Sequence, residues 1–149
     1  MASVGALRTC GAPAPLTLFV RLFTKHHMAN LKAIELKAFV PAKDFELSKR
    51  FYQDVGFTLA SDTEGVAYLH HGDVSFLLQN FYEESLAKNL MMHLLVEDVQ
   101  SWWDRLQEVG ISAKYGVRIG NIELQPWAMR DFVLFDPSGV LWRIAQNVK

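Results

Sequence analysis

The sequence predicts an α+β fold built from two βαβββ modules, and three features of the chain predict it. Residues 44–56 (DFELSKRFYQDVG) and 98–110 (DVQSWWDRLQEVG) each open on Asp and close on Gly, 54 positions apart. A β-like run precedes each, residues 34–40 (IELKAFV) and 91–96 (MMHLLV). Further strand-like runs follow each, and the last two are joined by Asp136-Pro137-Ser138-Gly139. One unit written twice argues for a duplicated module, and two copies are too few for a solenoid.

Each twin segment reads as a helix. The leading Asp offers a carboxylate to the free N–H groups of a first turn. The closing Gly is the residue best suited to the left-handed step that stops a helix. Apolar residues recur at helical spacing, Phe45, Phe51, Tyr52 and Val55 in the first copy, Val99, Trp102, Trp103 and Leu106 in the second.

The remaining elements follow in order. After Gly56 come strands at 57–61, 66–71 and 74–79, separated by turns at 62–65 and 72–73. Residues 80–89 are polar and read as the joint between modules. The second module continues with strands at 111–118, 130–135 and 140–146. Asp at the first, Pro at the second and Gly at the fourth position of 136–139 are what a type I turn favours, so the closing hairpin is well specified. Residues 116–127 read either as a short edge strand or as a loop over a cleft.

Residues 1–33 read as an extension outside the fold, disordered or non-native. They have no acid, carry Pro13 and Pro15, and show no sustained amphipathic period. An organelle transit peptide, a short signal core interrupted by Arg21, and an over-extended reading frame whose true start is Met28 are the readings open to them. The domain proper is expected over 34–147, with modules near 34–79 and 91–146.

Composition narrows the function classes. With 149 residues, half of them hydrophobic and 21% charged, the chain matches an ordinary soluble domain. No apolar run approaches the roughly 18–20 residues of a membrane span. The single Cys10 excludes an internal disulfide. The formal charge of −1 divides into +4 over residues 1–34 and −5 over the rest, which leaves the domain no basic footprint for nucleic acid. Its character is that of a cytoplasmic domain of bacterial type.

The segments DFELSKRFYQDVGF, VEDVQSWWDRLQEVGI and PWAMRDFVLFDPSGVLWRI together resemble the vicinal oxygen chelate superfamily of glyoxalases, extradiol dioxygenases, fosfomycin resistance enzymes and bleomycin resistance proteins. The last segment is most similar to the bleomycin-resistance branch. The resemblance covers about residues 34–147. It implies sheets that curve into an open cleft, commonly completed in a homodimer.

The resemblance also implies where a metal would sit in the metal-dependent members. Their pattern puts a His seven positions before each capping Asp, where this chain has Lys37 and Met91. A Glu ligand would fall at Arg143, and the fourth at Leu77 or Gln79. Lys and Arg have no lone pair to offer at neutral pH, so the expectation is no metal and no cofactor. His93 and Gln79 alone fall short of a ligand set, and His70 and His71 point to opposite faces of their strand.

What remains is a cleft for a small molecule. Alternation places Lys37, Phe39, Met91, His93, Leu141 and Arg143 on the concave face, with Leu36, Leu94, Trp142 and Ile144 toward the helices. Phe51, Trp102 and Leu106 read as helix–sheet core. Met and Phe give an adaptable lining. Lys37 and Arg143 favour an anionic ligand if they lack acidic partners; the alternative is that neighbouring acids such as Glu35 or Glu123 neutralise them. Trp127 is placed either to stack on a planar ligand or to cover a sheet edge, and Arg130 and Phe132 share a face that would line the same wall. The candidate ligand-binding residues are thus Lys37, Phe39, Gln79, Met91, His93, Trp127 and Arg143.

The leading expectation is a metal-free binding protein, dimeric, that sequesters a drug or toxic compound without converting it, with an anionic or aromatic ligand preferred over the large cationic glycopeptides known for the family. The alternative is a lyase, isomerase or dioxygenase with a non-standard site, for which His93, Lys37 and Glu123 are the acid–base candidates. A third is a structural or partner-binding dimer whose cleft is filled by its own side chains.

Overall fold

The computed structural model describes residues 30–148. The expectations for the first part of the N-terminal extension lie outside the described residues, and residues 30–38 carry no helix or strand. From there the order is β1 (Phe39–Pro41), α1 (Phe45–Val55), β2 (Thr58–Thr63), β3 (Val66–His71) and β4 (Val74–Gln79). Then come α2 (Glu84–Asn89), β5 (Met91–Leu95), α3 (Val99–Val109), α4 (Ile111–Tyr115), β6 (Glu123–Gln125), β7 (Met129–Phe135) and β8 (Leu141–Asn147).

The strands form two four-stranded sheets of the same topology, β1-β4-β3-β2 and β5-β8-β7-β6. In each, the first strand of the module lies parallel to the last, and the remaining pairs are antiparallel. The duplicated sequence unit is therefore a duplicated sheet.

Both twin helices are capped as their sequences require. Asp44 accepts from the N–H of Leu47, and Asp98 accepts from those of Gln100 and Ser101. The Ser101 hydroxyl also donates to Asp98, and these bonds hold its carboxyl below the usual range. Gly56, with φ +126°, and Gly110, with φ +69°, end the helices in conformations that a side chain would strain.

The core lies on the helix side of the sheets and is shared by both modules. Phe51, Tyr52, Leu69, Phe76 and Leu78 of the first module belong to one buried cluster with Leu106, Leu134, Trp142 and Ile144 of the second. Tyr52 sits at its centre, edge-on to Phe76 and tilted against Trp142, at 4.8 and 5.6 Å between ring centroids.

Three elements differ from the sequence reading, and a fourth resolves an alternative it left open. β1 begins only at Phe39, because Ile34 and Leu36 are 93% and 96% exposed and gain nothing from a longer strand. Leu36 therefore does not face the helices. Within 80–89 there is a short helix, α2, capped by Glu83 and anchored by the fully buried Ala87. Residues 111–115 form a helix and not a strand. Ile111 buries completely, while Tyr115 donates to Asp54 at 2.5 Å and stacks edge-on with Phe51, so α4 is held against α1. Residues 116–127 do contain a short edge strand, β6.

Candidate functional site

Strand alternation divides each sheet into a buried helix-side face and a half-open opposite face, and the candidate residues fall on the latter. On the first sheet the open face carries Phe39, Leu77 and Tyr68 in one row of paired residues, with Gln79 and Val66 in the next. Lys37 lies before β1, yet the chain there still runs beside β4, since the N–H of Leu77 donates to the carbonyl of Ala38 at 3.0 Å. The Lys37 ammonium rests over the Tyr68 ring, 4.9 Å from its centroid.

On the second sheet the register pairs Met91 with Leu141 and His93 with Arg143, and Arg143 in turn with Val133. Met91, His93 and Leu95 are exposed, whereas Leu94, Trp142 and Ile144 are buried beneath. Trp127 is 56% exposed and lies against the Arg143 guanidinium, whose carbon is 5.5 Å from the ring centroid. The turn that presents it, 125–128, is closed by a bond from the Ala128 N–H to the Gln125 carbonyl. Lys37, Phe39 and Gln79 thus gather on one sheet, Met91, His93, Trp127 and Arg143 on the other.

Both cations have acidic partners. Lys37 pairs with Glu35, and this ammonium together with the Ser75 hydroxyl holds the Glu35 carboxyl below its ordinary range. Arg143 donates to Asp131 at 2.5 Å. Asp131 is 2% exposed, and its other oxygen accepts from the Gln125 amide at 2.8 Å. Asp131 was not among the sequence candidates. The signal was available: the turn at 136–139 sets Phe135 opposite Leu141, so Asp131 lies on the same face as Arg143, one step diagonal to it. A small cavity of about 90 Å³ opens beside this pair, bordered by Gly120, Glu123, Val133 and Arg143.

Two further placements differ from the sequence reading. Phe132 is 1% exposed in the core on the helix side, so it does not line the open face, and Arg130 shares that opposite side with it. Phe51 and Leu106 are fully buried as core, while Trp102 is only half-buried, in a groove described below.

Comparison with known proteins settles the family. A family model described as the glyoxalase/bleomycin resistance protein/dioxygenase superfamily matches residues 26–144. This chain belongs to that superfamily. A bleomycin resistance protein from Klebsiella pneumoniae is 32% identical over 114 residues, covering 72% of this chain and 88% of the relative. The crystal structure of a bleomycin-binding protein complexed with bleomycin matches with a TM-score of 0.67 and 28% identity, over 77% of this chain and 99% of the other. An antibiotic-binding protein from a Streptomyces species matches with a TM-score of 0.62 and 27% identity, over 78% and 98% of the two chains.

The superfamily's metal-dependent members raise the question of a divalent ion, and the residues here do not fit one. Lys37 and Arg143 are donors already committed to Glu35 and Asp131, and Met91 offers a weak thioether. Among the described residues, no group of three or more His, Cys, Asp or Glu side chains converges on a point. Likewise, no helix among them is long and apolar enough to cross a membrane.

Proposed function

We propose that this superfamily member binds a bleomycin-type antibiotic on the open sheet faces and protects by withholding it, without converting it. The observation that carries this reading is the relationship to a protein solved with bleomycin bound, which extends over most of both chains. The site we infer comprises Lys37, Phe39, Gln79, Met91, His93, Trp127 and Arg143, with Tyr68, Leu77 and Asp131 added from their positions beside these residues.

The chemistry of the face supports an aromatic group on the ligand more than an anionic one. Lys37 and Arg143 are neutralised by Glu35 and Asp131, so neither is a free cation seeking a carboxylate. What the face offers instead is ring surface, from Phe39 at 54% exposure and Trp127 at 56%, beside the adaptable Met91. We further infer that a second copy of the chain completes the cleft in the cytoplasm. Phe39, Met91, Leu95 and Trp127 are each more than half exposed, and in a symmetric dimer a second copy standing opposite these faces would form the far wall of the cleft on both copies at once.

The test is calorimetric titration of the purified, metal-stripped protein with bleomycin, with the compound recovered afterwards and examined by mass spectrometry. Saturable binding with unchanged drug supports sequestration. Absence of binding, or a converted product, overturns it. Sedimentation of the same sample decides the dimer: a species of one-chain mass at binding-competent concentration would exclude it.

A further inference from the structure

We propose a second ligand site, on the opposite side of the first sheet from the open face, for a small aromatic carboxylate. It lies at the seam between modules, where a cavity of about 330 Å³ is lined by Val55, Gly56, His71, Ser101, Trp102 and Arg105. That volume falls at the lower end of small-molecule sites. A neighbouring depression of about 380 Å³ continues from it past Val74 and Leu94 to the acidic Glu97 and Asp98, sharing His71, Ser101 and Trp102, so the Arg105 end is the one suited to an anion.

Alternation along β3 sends Tyr68 and His70 to the open face and Leu69 and His71 to the helix side, so the two sites are separated by the sheet itself. His71 is fixed in orientation: its Nδ1 lies 2.8 Å from the carbonyl oxygen of Gly56 and donates to it. The Nε2 is thereby left as the ring's acceptor or, when protonated, its second donor. The imidazole stands edge-on to Trp102, with centroids 5.0 Å apart and planes at 67°. The indole and imidazole form a corner into which a flat ring can be set.

Arg105 supplies the charge. Three residues after Trp102, it projects from the same face of α3. Among the described residues it takes part in no ion pair, a condition it shares with Lys32, Lys43, Arg50, Arg118 and Arg130, but of these it alone lines this cavity. Its guanidinium and the His71 ring both come within 4 Å of where a Cβ on residue 56 would stand. Gly56, held at φ +126° to end α1, therefore keeps open the space between them. An aromatic ring against Trp102 would present a carboxylate to the Arg105 fork, a pairing that a planar guanidinium makes bidentately.

The experiment is a titration of the full chain with 2-naphthoate, followed through the indole N–H resonances of the four tryptophans by heteronuclear NMR. Trp102 is expected to shift saturably. Arg105→Gln, at an exposed position where folding is not at stake, should weaken binding roughly tenfold, and naphthalene-2-carboxamide should bind the native chain about as weakly. Lys88→Gln, on the exposed side of α2, should leave the affinity unchanged. Equal affinity in Arg105→Gln, a saturable shift centred on Trp127, or no saturable shift of Trp102 would each overturn the assignment.

Discussion

The hydroxyl of Tyr52 donates to the buried carboxylate of Asp136 at 2.6 Å, joining the first helix to the last hairpin across 84 residues of sequence. The same hydroxyl accepts from the Trp142 indole N–H at 3.1 Å. The other Asp136 oxygen accepts from the N–H groups of Ser138 and Val140, which fixes the closing turn. Burial pushes the Asp136 carboxyl up against these bonds, so its partners must be well placed to keep it there.

Tyr52→Phe removes one donor and leaves an indole N–H without an acceptor, so it should cost about 1–3 kcal/mol. Asp136→Ala frees two N–H groups and the tyrosine at once and should cost more, about 3 kcal/mol or above. Urea denaturation midpoints read both. Equal small losses would mean that the network contributes little beyond packing.

Alkaline pH should destabilise the fold. Burial, then Asp136, raises the Tyr52 hydroxyl well above the ordinary tyrosine value, and burial with Asp54 beside it pushes Tyr115 up to about 12. Both groups hold their protons more tightly folded than unfolded. Their contribution is complete below about pH 10 and is lost as pH rises from there toward 12, at no more than about 1.4 kcal/mol per pH unit for each tyrosine. Denaturation midpoints measured from pH 9 to 12 should fall, and less steeply in Tyr115→Phe.

Ser48 is fully buried on α1, and its hydroxyl has no hydrogen-bond partner among the described residues. Ser48→Ala removes that unmet group at nearly the same volume. It should be neutral or stabilise by up to about 1 kcal/mol, seen as an unchanged or raised thermal midpoint.

Ala128 holds φ +59° in the turn that presents Trp127. Glycine adopts that conformation without steric cost, so Ala128→Gly should stabilise by roughly 0.5–1 kcal/mol. Trp127→Ala, in contrast, should leave stability within about 0.5 kcal/mol and weaken bleomycin binding under the proposed function. A calorimetric titration of both variants separates the turn's conformation from the ring it carries.

Much of this fold was legible in the sequence because its signals are local. Asp44 and Asp98 cap, Gly56 and Gly110 stop, and the turn at 136–139 sets the register of the closing hairpin. The short helices were not legible because their stability comes from elsewhere in the chain. α4 is only five residues long, and its hold depends on Tyr115 reaching Asp54 and Phe51 of α1. The charge state of the open face fell between these cases. Glu35 could be named as a partner for Lys37 from its nearness in sequence, whereas the Asp131–Arg143 pair required counting across a hairpin.

The pairing order of the second sheet bears on how the protein is made. β8 is synthesised after β5, β6 and β7, yet it lies between β5 and β7. Until it emerges, β5 has no partner strand and β7 is paired on one edge alone. A nascent chain therefore carries two open edges of apolar sequence through translation, when such edges are most prone to join those of neighbouring chains. The half of the molecule that bears Met91, His93 and Arg143 can assemble only once its final strand has left the ribosome.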